Sequence, residues 1–362
     1  MFFPWSMCGV DSLVEQRAGG SGPGRVASMT SSSELPLCFP ADTQVVVAAG
    51  LLGVADLGDG PTDEQYRVVA ALARNLWSIE LLGTERASPA EVAASLPDSS
   101  KRRFVQWAMV VQFCRHPASR DQEERLVEYA TALGVEGPPL DALASWISKD
   151  AVAASADYVR NYQRFISDLS EPIEMSADGG EVLPQVRALF DLPEGTLGWA
   201  YLQFYERHGF HLPGPHTPEP AYYISHDMNH VIAGYEPDGP GEIALGAFKV
   251  GMSDSDANWM AFVTNLMIQE AGLIKHGLTE EAQFVPYGGD VYGDDQGQGA
   301  LHLPGAEALL AEALRRGASV RQDFSQVDHL AMAHRSVADI REEFHVMPRA
   351  DGFDEVFRPK YP

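Results

Sequence analysis

The stretch that most constrains this chain is Tyr222–Met252, YYISHDMNHVIAGYEPDGPGEIALGAFKVGM. His226 and His230 stand at i, i+4, which places their imidazoles one turn apart on the same face of a helix. The next segment, Gly234-Tyr-Glu-Pro-Asp-Gly-Pro-Gly241, is too rich in glycine and proline to continue that helix. Glu242 then opens a second apolar-periodic run through Phe248. Helix, tight reversal and second helix are therefore expected, returning the Glu242 carboxylate towards the two imidazoles. Two imidazoles and a carboxylate are a common donor set for a divalent transition metal, with positions left open for water or substrate. A histidine pair alone more often fills a surface or a core; the returning carboxylate is what favours a metal.

Asp227 has three open roles: a further ligand, an acceptor that orients an imidazole, or a catalytic proton carrier beside a substrate. Successive helical residues diverge by about 100°, so direct ligation by Asp227 needs local adjustment. The helical metallopeptidase motif places a glutamate at this position as general base. The shorter aspartate argues against peptide hydrolysis.

No strong alternation of period two appears anywhere, so the expected class is all-α, with two helical domains. Residues 1–39, rich in Gly and Ser, read as a disordered leader. Residues 40–148 read as a helical domain, 149–181 as a connecting helix and linker, and 182–350 as the metal-binding helical domain, followed by a tail over 351–362. Helices are expected at Asp63–Leu81, Ser88–Leu96, Arg102–Cys114 and Ser119–Leu133, then at Leu183–Phe190, Thr196–Arg207 and Asp256–His276. Thr62 has the character of an N-cap, and Ser88-Pro-Ala-Glu91 is a capping signature. Pro304–Arg316 is expected to end on a basic last turn and a stop at Gly317. Trp259, Phe262, Val263, Leu266, Met267 and Ile268 cover much of the circumference of the Asp256–His276 helix, which fits a buried helix or the wall of an apolar cavity. His208, His211 and His216 lack a regular ligand spacing and read as loop or helix-end residues.

A net charge of −25 disfavours nucleic acid and anionic membrane surfaces, both of which would repel the chain. No run of apolar residues is long enough to span a bilayer. The three cysteines, Cys8, Cys38 and Cys114, form neither a disulfide framework nor a thiolate zinc site, which fits a reducing cytoplasm. Phosphate-cradling glycine loops and Gly-x-Ser-x-Gly elbows are absent.

His226-Asp-x-x-His230, eleven residues and Glu242 resemble the metal motif of the ubiquinone biosynthesis family known as coenzyme Q biosynthesis protein 4. Leu192-Pro-Glu-Gly-Thr-Leu-Gly198 with Tyr201 and Phe204, Gly241-Glu-Ile-Ala-Leu245, and Val337–Phe344 with Pro348 extend the likeness over about residues 185–350. The resemblance implies one divalent metal ion, zinc or iron, held by His226, Asp227, His230 and Glu242. It also implies action on the aromatic head of a prenylated quinone precursor, where a ring carboxylate is replaced by a hydroxyl. The implied partners are a quinone-like or isoprenoid small molecule, other biosynthetic proteins and a second copy of the chain. No nucleic acid is expected, and peripheral membrane contact is compatible with a cytoplasmic location. Family members carry an arginine three residues before the first histidine; here that position is Tyr223. Two other readings stand beside the enzyme: a lipid-binding scaffold, and a phosphohydrolase of the HD type suggested by the His-Asp dyad. Residues 40–148 more loosely resemble a TerB-like helical domain, with Asp56, Asp59 and Glu64 where its cation-binding carboxylates would lie. Ordinary turn and cap chemistry accounts for the same three acids.

Overall fold

The computed structural model describes residues 39–81, 83–115, 119–136, 183–210, 212–213, 223–270, 299–325 and 327–350. The expected leader up to residue 38, the connecting helix and linker, the Phe284–Gln298 insertion and the tail from residue 351 lie outside them. Among the described residues the chain is all-α, and its one β-bridge joins Thr196 to Ser336. In chain order the helices are α1 (Gln44–Ala55), α2 (Asp63–Trp77), α3 (Pro89–Ser95), α4 (Asp98–Phe113) and α5 (Arg120–Leu133). Then come α6 (Pro184–Arg187), α7 (Leu197–His208), α8 (Tyr223–Ala233), α9 (Gly239–Met252), α10 (Asp256–Glu270), α11 (Ala306–Ala318), α12 (His329–Met332) and α13 (Val337–Phe344).

Three of the first five helices, α2, α3 and α5, start where cap chemistry directs. Thr62 with Gln65, Ser88 with Glu91 and Ser119 with Gln122 each form a reciprocal capping box. Helix ends leave carbonyls without partners, and here buried glutamines meet three of them. Gln112 Nε2 donates to Val54 O, Gln65 Nε2 to Val111 O, and Gln122 Nε2 to Gln112 O. Asp98 opens α4 one turn before the expected start, directly after an extended Pro97 at the N-cap position. Helix α6 tightens after Arg187 into a 3-10 turn over Ala188–Asp191 instead of running as one helix to Phe190.

Helices α9 and α11 form the centre of the molecule around two close backbone approaches. A Cβ on Gly317 would lie 2.0 Å from Phe248 O, and one on Gly251 would lie 2.3 Å from Leu314 O. Gly317 was expected to stop the helix; instead it is helical, α11 continues to Ala318, and the missing side chain serves the crossing. Arg316, in the basic last turn, is buried and lies over the rings of Tyr235 and Phe248. Helix α10 packs through buried Trp259, Phe262, Val263, Leu266, Met267 and Ile268, with Trp259 edge-on to Trp107 of α4 at 5.0 Å.

The acids of the TerB-like reading do not assemble. Asp56 pairs with Arg86 at 2.8 Å, Asp59 is exposed, and Glu64 meets His302 Nδ1 at 3.2 Å. Arg115 ties the intervening turn by donating to Leu57 O and Gly60 O. Each acid is thus accounted for singly, by an ion pair, solvent and a contact from His302, and the TerB-like resemblance gains no support from their arrangement.

Glu270, at the last described turn of α10, is buried with only Leu301 N donating to its Oε1 at 2.7 Å. Burial pushes its carboxyl up to about 8, and nearby Glu64 adds to the shift. The folded chain then holds a proton that the unfolded chain loses near pH 4.5, so stability falls as pH rises from about 4.5 to about 8. Glu270→Gln keeps an acceptor for Leu301 N and should be more stable than wild type at pH 8.5 by a few kcal/mol, since each tenfold change in proton affinity is worth about 1.4 kcal/mol. Urea melts at pH 5 and 8.5 check this; equal gains at both would remove the charged carboxylate as the cause.

Candidate metal centre

Helix α8 carries the two histidines, and its C-terminal end is held with unusual thoroughness. The carbonyls of its last turn and of Gly234 would otherwise lack donors. Arg341 Nη2 donates to Val231 O at 3.1 Å and its Nε to Ile232 O at 2.8 Å. Arg316 Nη2 reaches Ala233 O at 2.9 Å, and Arg349 Nη1 reaches Gly234 O at 3.1 Å. These cations also lie where the helix dipole is negative. The reversal is anchored from α7, where Arg207 and His208 both bind the Glu236 carboxylate. His208 is thus the helix-end residue expected of it, while His211 and His216 lie outside the described residues.

The second helix begins earlier than the glycine and proline content suggests. Asp238 Oδ1 accepts from Gly241 N at 2.7 Å as the N-cap, and Gly239-Pro240-Gly241 form the first turn. A Cβ at Gly241 would sit 2.0 Å from Glu236 O, so the tight return requires glycine there. The reversal therefore shortens to residues 234–238, and Glu242 enters within the first turn of α9, where the dipole favours a carboxylate. Asn265 Nδ2 fixes Glu242 O at 2.8 Å.

Three of the expected ligands converge. His226 Nε2 lies 3.2 Å from His230 Nε2, Glu242 Oε2 lies 3.4 Å from His226 Nε2, and Glu242 Oε1 lies 3.2 Å from His230 Nε2. His230 is fully buried, and Phe204 stacks on its ring at 5.8 Å. Its Nδ1 is 3.0 Å from Tyr235 O, a carbonyl that can only accept, so the proton of the neutral ring sits on Nδ1. Nε2 of the neutral ring is then a lone pair, facing Glu242 Oε1 and the Nε2 of His226. Three such atoms at these spacings are placed as they would be around a cation. The donor set fits a divalent ion: bonds of about 2.0–2.1 Å at near-tetrahedral angles give edges of roughly 3.3 Å.

Burial pulls the His230 imidazole down, but the Glu242 carboxylate outweighs it and holds the ring above its ordinary value. Glu242 itself, despite burial, is held well below the carboxylate range by the two imidazoles. Burial lowers His226 to about 4, which keeps it neutral and able to donate its lone pair.

Asp227 is buried next to the histidines, and its ligating oxygen lies within 4.8 Å of theirs. Its Oδ2 accepts a short hydrogen bond from the Tyr205 hydroxyl. Burial and the Asp227 charge push Tyr205 well above its ordinary range, so the phenol stays a donor. Among the described residues, His226, Asp227 and His230 form the cluster suited to a metal, with Glu242 closing it.

Tyr205 and Lys249 were not singled out from the sequence. Tyr205 lies one residue after Phe204 on α7 but turns its hydroxyl to α8, a contact no local spacing announces. Lys249 lies seven residues after Glu242, two turns along the same face of α9, and that spacing could have flagged it.

No protein-family model matches the chain, and no curated protein matches it. Among solved structures, the chain is similar to the crystal structure of a putative ubiquinone biosynthesis protein from Nostoc punctiforme. The two share 17% identity with a TM-score of 0.31, over 67% of this chain and 96% of that one. A likeness this loose carries nothing about function. No helix among the described residues is long and apolar enough to cross a membrane.

Proposed function

We propose that the chain is a metal-dependent enzyme in which His226, His230 and Glu242 hold one divalent ion and Asp227 serves as a further ligand or proton carrier. The observation that carries this reading is the convergence of His226 Nε2, His230 Nε2 and the Glu242 carboxylate, with His230 Nδ1 committed to Tyr235 O so that its Nε2 lone pair faces the other two. The substrate class follows from the resemblance of the His-Asp-x-x-His and Glu242 pattern: an aromatic or quinone-like acid, prenylated in the family, whose ring carboxylate gives way to a hydroxyl. A bound ion would supply Lewis acidity, and iron rather than zinc would also allow electron exchange.

The chain's own residues set the rest of the chemistry. Asp227 is buried, oriented by the Tyr205 hydroxyl, and suits the transfer of a proton at the edge of the triangle. His226 and Glu242 keep side-chain exposures of 21% and 15%, so a ligand approaches past them while His230 stays sealed. Elemental analysis before and after anaerobic reloading with iron(II) or zinc should find about one ion per chain. No ion after reloading overturns the reading. One ion without turnover of a carboxylated aromatic would turn it into the lipid-binding scaffold that organises biosynthetic partners, and phosphate release from nucleotides would turn it into the HD-type hydrolase.

A further inference from the structure

Lys249 occupies an unusual position for a lysine. It is half-buried on the long central helix, on the same face as Glu242. Side chains on a helix lean towards its N-terminus, so the four-carbon stem of Lys249 is directed back along the roughly 10 Å that separate the two positions. Despite this, its Nζ forms no ion pair or hydrogen bond with any described residue.

The neighbouring acids explain why no partner is available. Glu242 turns its two oxygens to His226 and His230. Asp227 accepts from Tyr205. Asp323, on the segment before α12, accepts from Ser325 N at 2.8 Å and Ser325 Oγ at 2.6 Å. All three carboxylates lie close enough to act on the Lys249 charge, and Lys249 in turn acts on His226 and His329. Each acid is committed elsewhere, which leaves a cation beside the centre with its donors unspent. A partly desolvated ammonium without an acceptor is costly to hold and gains most from an anionic ligand.

We propose that Lys249 is a specificity-determining residue that docks an anionic group, of the carboxylate class, of the ligand handled at the His226–His230–Glu242 centre. The inference deepens the enzyme reading and rests on that site being a ligand site. Burial lowers the ammonium to about 8, so it remains mostly protonated at neutral pH, and an arriving carboxylate would strengthen that charge.

The test isolates charge from shape. Benzoate and its neutral isostere benzamide are titrated calorimetrically into cobalt(II)-loaded and metal-free protein, for wild type, Lys249→Met and Lys249→Arg. The cobalt visible spectrum reports the centre independently of turnover. Wild type should prefer benzoate by about tenfold or more, the value of one charge-assisted contact near 1.4 kcal/mol. Lys249→Met should lose that preference in the metal-free protein and show a smaller one than wild type in the cobalt form, while binding cobalt with an unchanged spectrum, and Lys249→Arg should keep most of it. An undiminished preference in Lys249→Met, or no benzoate binding by wild type, overturns the proposal. Failure of the metal reading shows separately, as absence of cobalt binding, and the metal-free titration still decides the role of Lys249.

Discussion

Glu242→Gln should cut metal affinity by about 100-fold or more while leaving the fold intact. The substitution keeps the shape of the side chain and an oxygen for one contact, but removes the negative charge that closes the triangle opposite two neutral imidazoles. His226 and His230 remain on α8 with their spacing fixed by the helix, so a weakened site rather than an absent one is expected. The capping of α9 by Asp238 does not involve the Glu242 side chain, and Asn265 binds only its carbonyl, so helical content should not change. Competition against a chromophoric chelator, with circular dichroism alongside, measures both. Wild-type affinity in the variant would remove Glu242 from the ligand set, whatever the fate of the histidines.

Gly317→Ala should destabilise the chain by about 2–3 kcal/mol, although alanine is intrinsically the better helix former by about 1 kcal/mol. The new methyl would meet Phe248 O at 2.0 Å and Met252 N at 3.0 Å, both backbone atoms that cannot rotate away. Relief requires α9 and α11 to move apart, and α9 carries both Glu242 and Lys249. Gly246→Ala is the comparison: its nearest obstacle, at 3.0 Å, is the side-chain Cδ2 of Phe262, which can shift at lower cost. Urea denaturation should therefore rank Gly317→Ala well below Gly246→Ala. Equal midpoints would show that the crossing tolerates expansion and that the two glycines there are not needed for close packing.

The candidate site was legible where it is local. The i, i+4 histidines and the returning glutamate are set by helix pitch and a short reversal, both of which can be read from residue order. The extent of α9 was not, because glycine and proline break helices in the interior yet suit a first turn, and the Asp238 cap decides between these outcomes. Gly317 was misread for a related reason: a glycine near a basic last turn looks like a stop until the partner helix is present to press on it. Tyr205 and the arginines at the end of α8 stayed hidden because their partners are remote in sequence. The all-α class needed only the lack of alternation, which is why it survives the changes in individual boundaries. The acids Asp56, Asp59 and Glu64 show the opposite case, a local pattern whose members are claimed by Arg86, solvent and His302.

The arginine clamp on α8 has a consequence for the order in which the site can be completed during synthesis. Arg341 binds carbonyls 109 and 110 positions earlier, and Arg349 reaches back 115 positions to Gly234. A nascent chain that has released both histidines and Glu242 from the ribosome still lacks the donors that finish the helix bearing them. The centre therefore reaches its final rigidity only when residues near 350 have emerged, and the ligands made first wait on the segment made last.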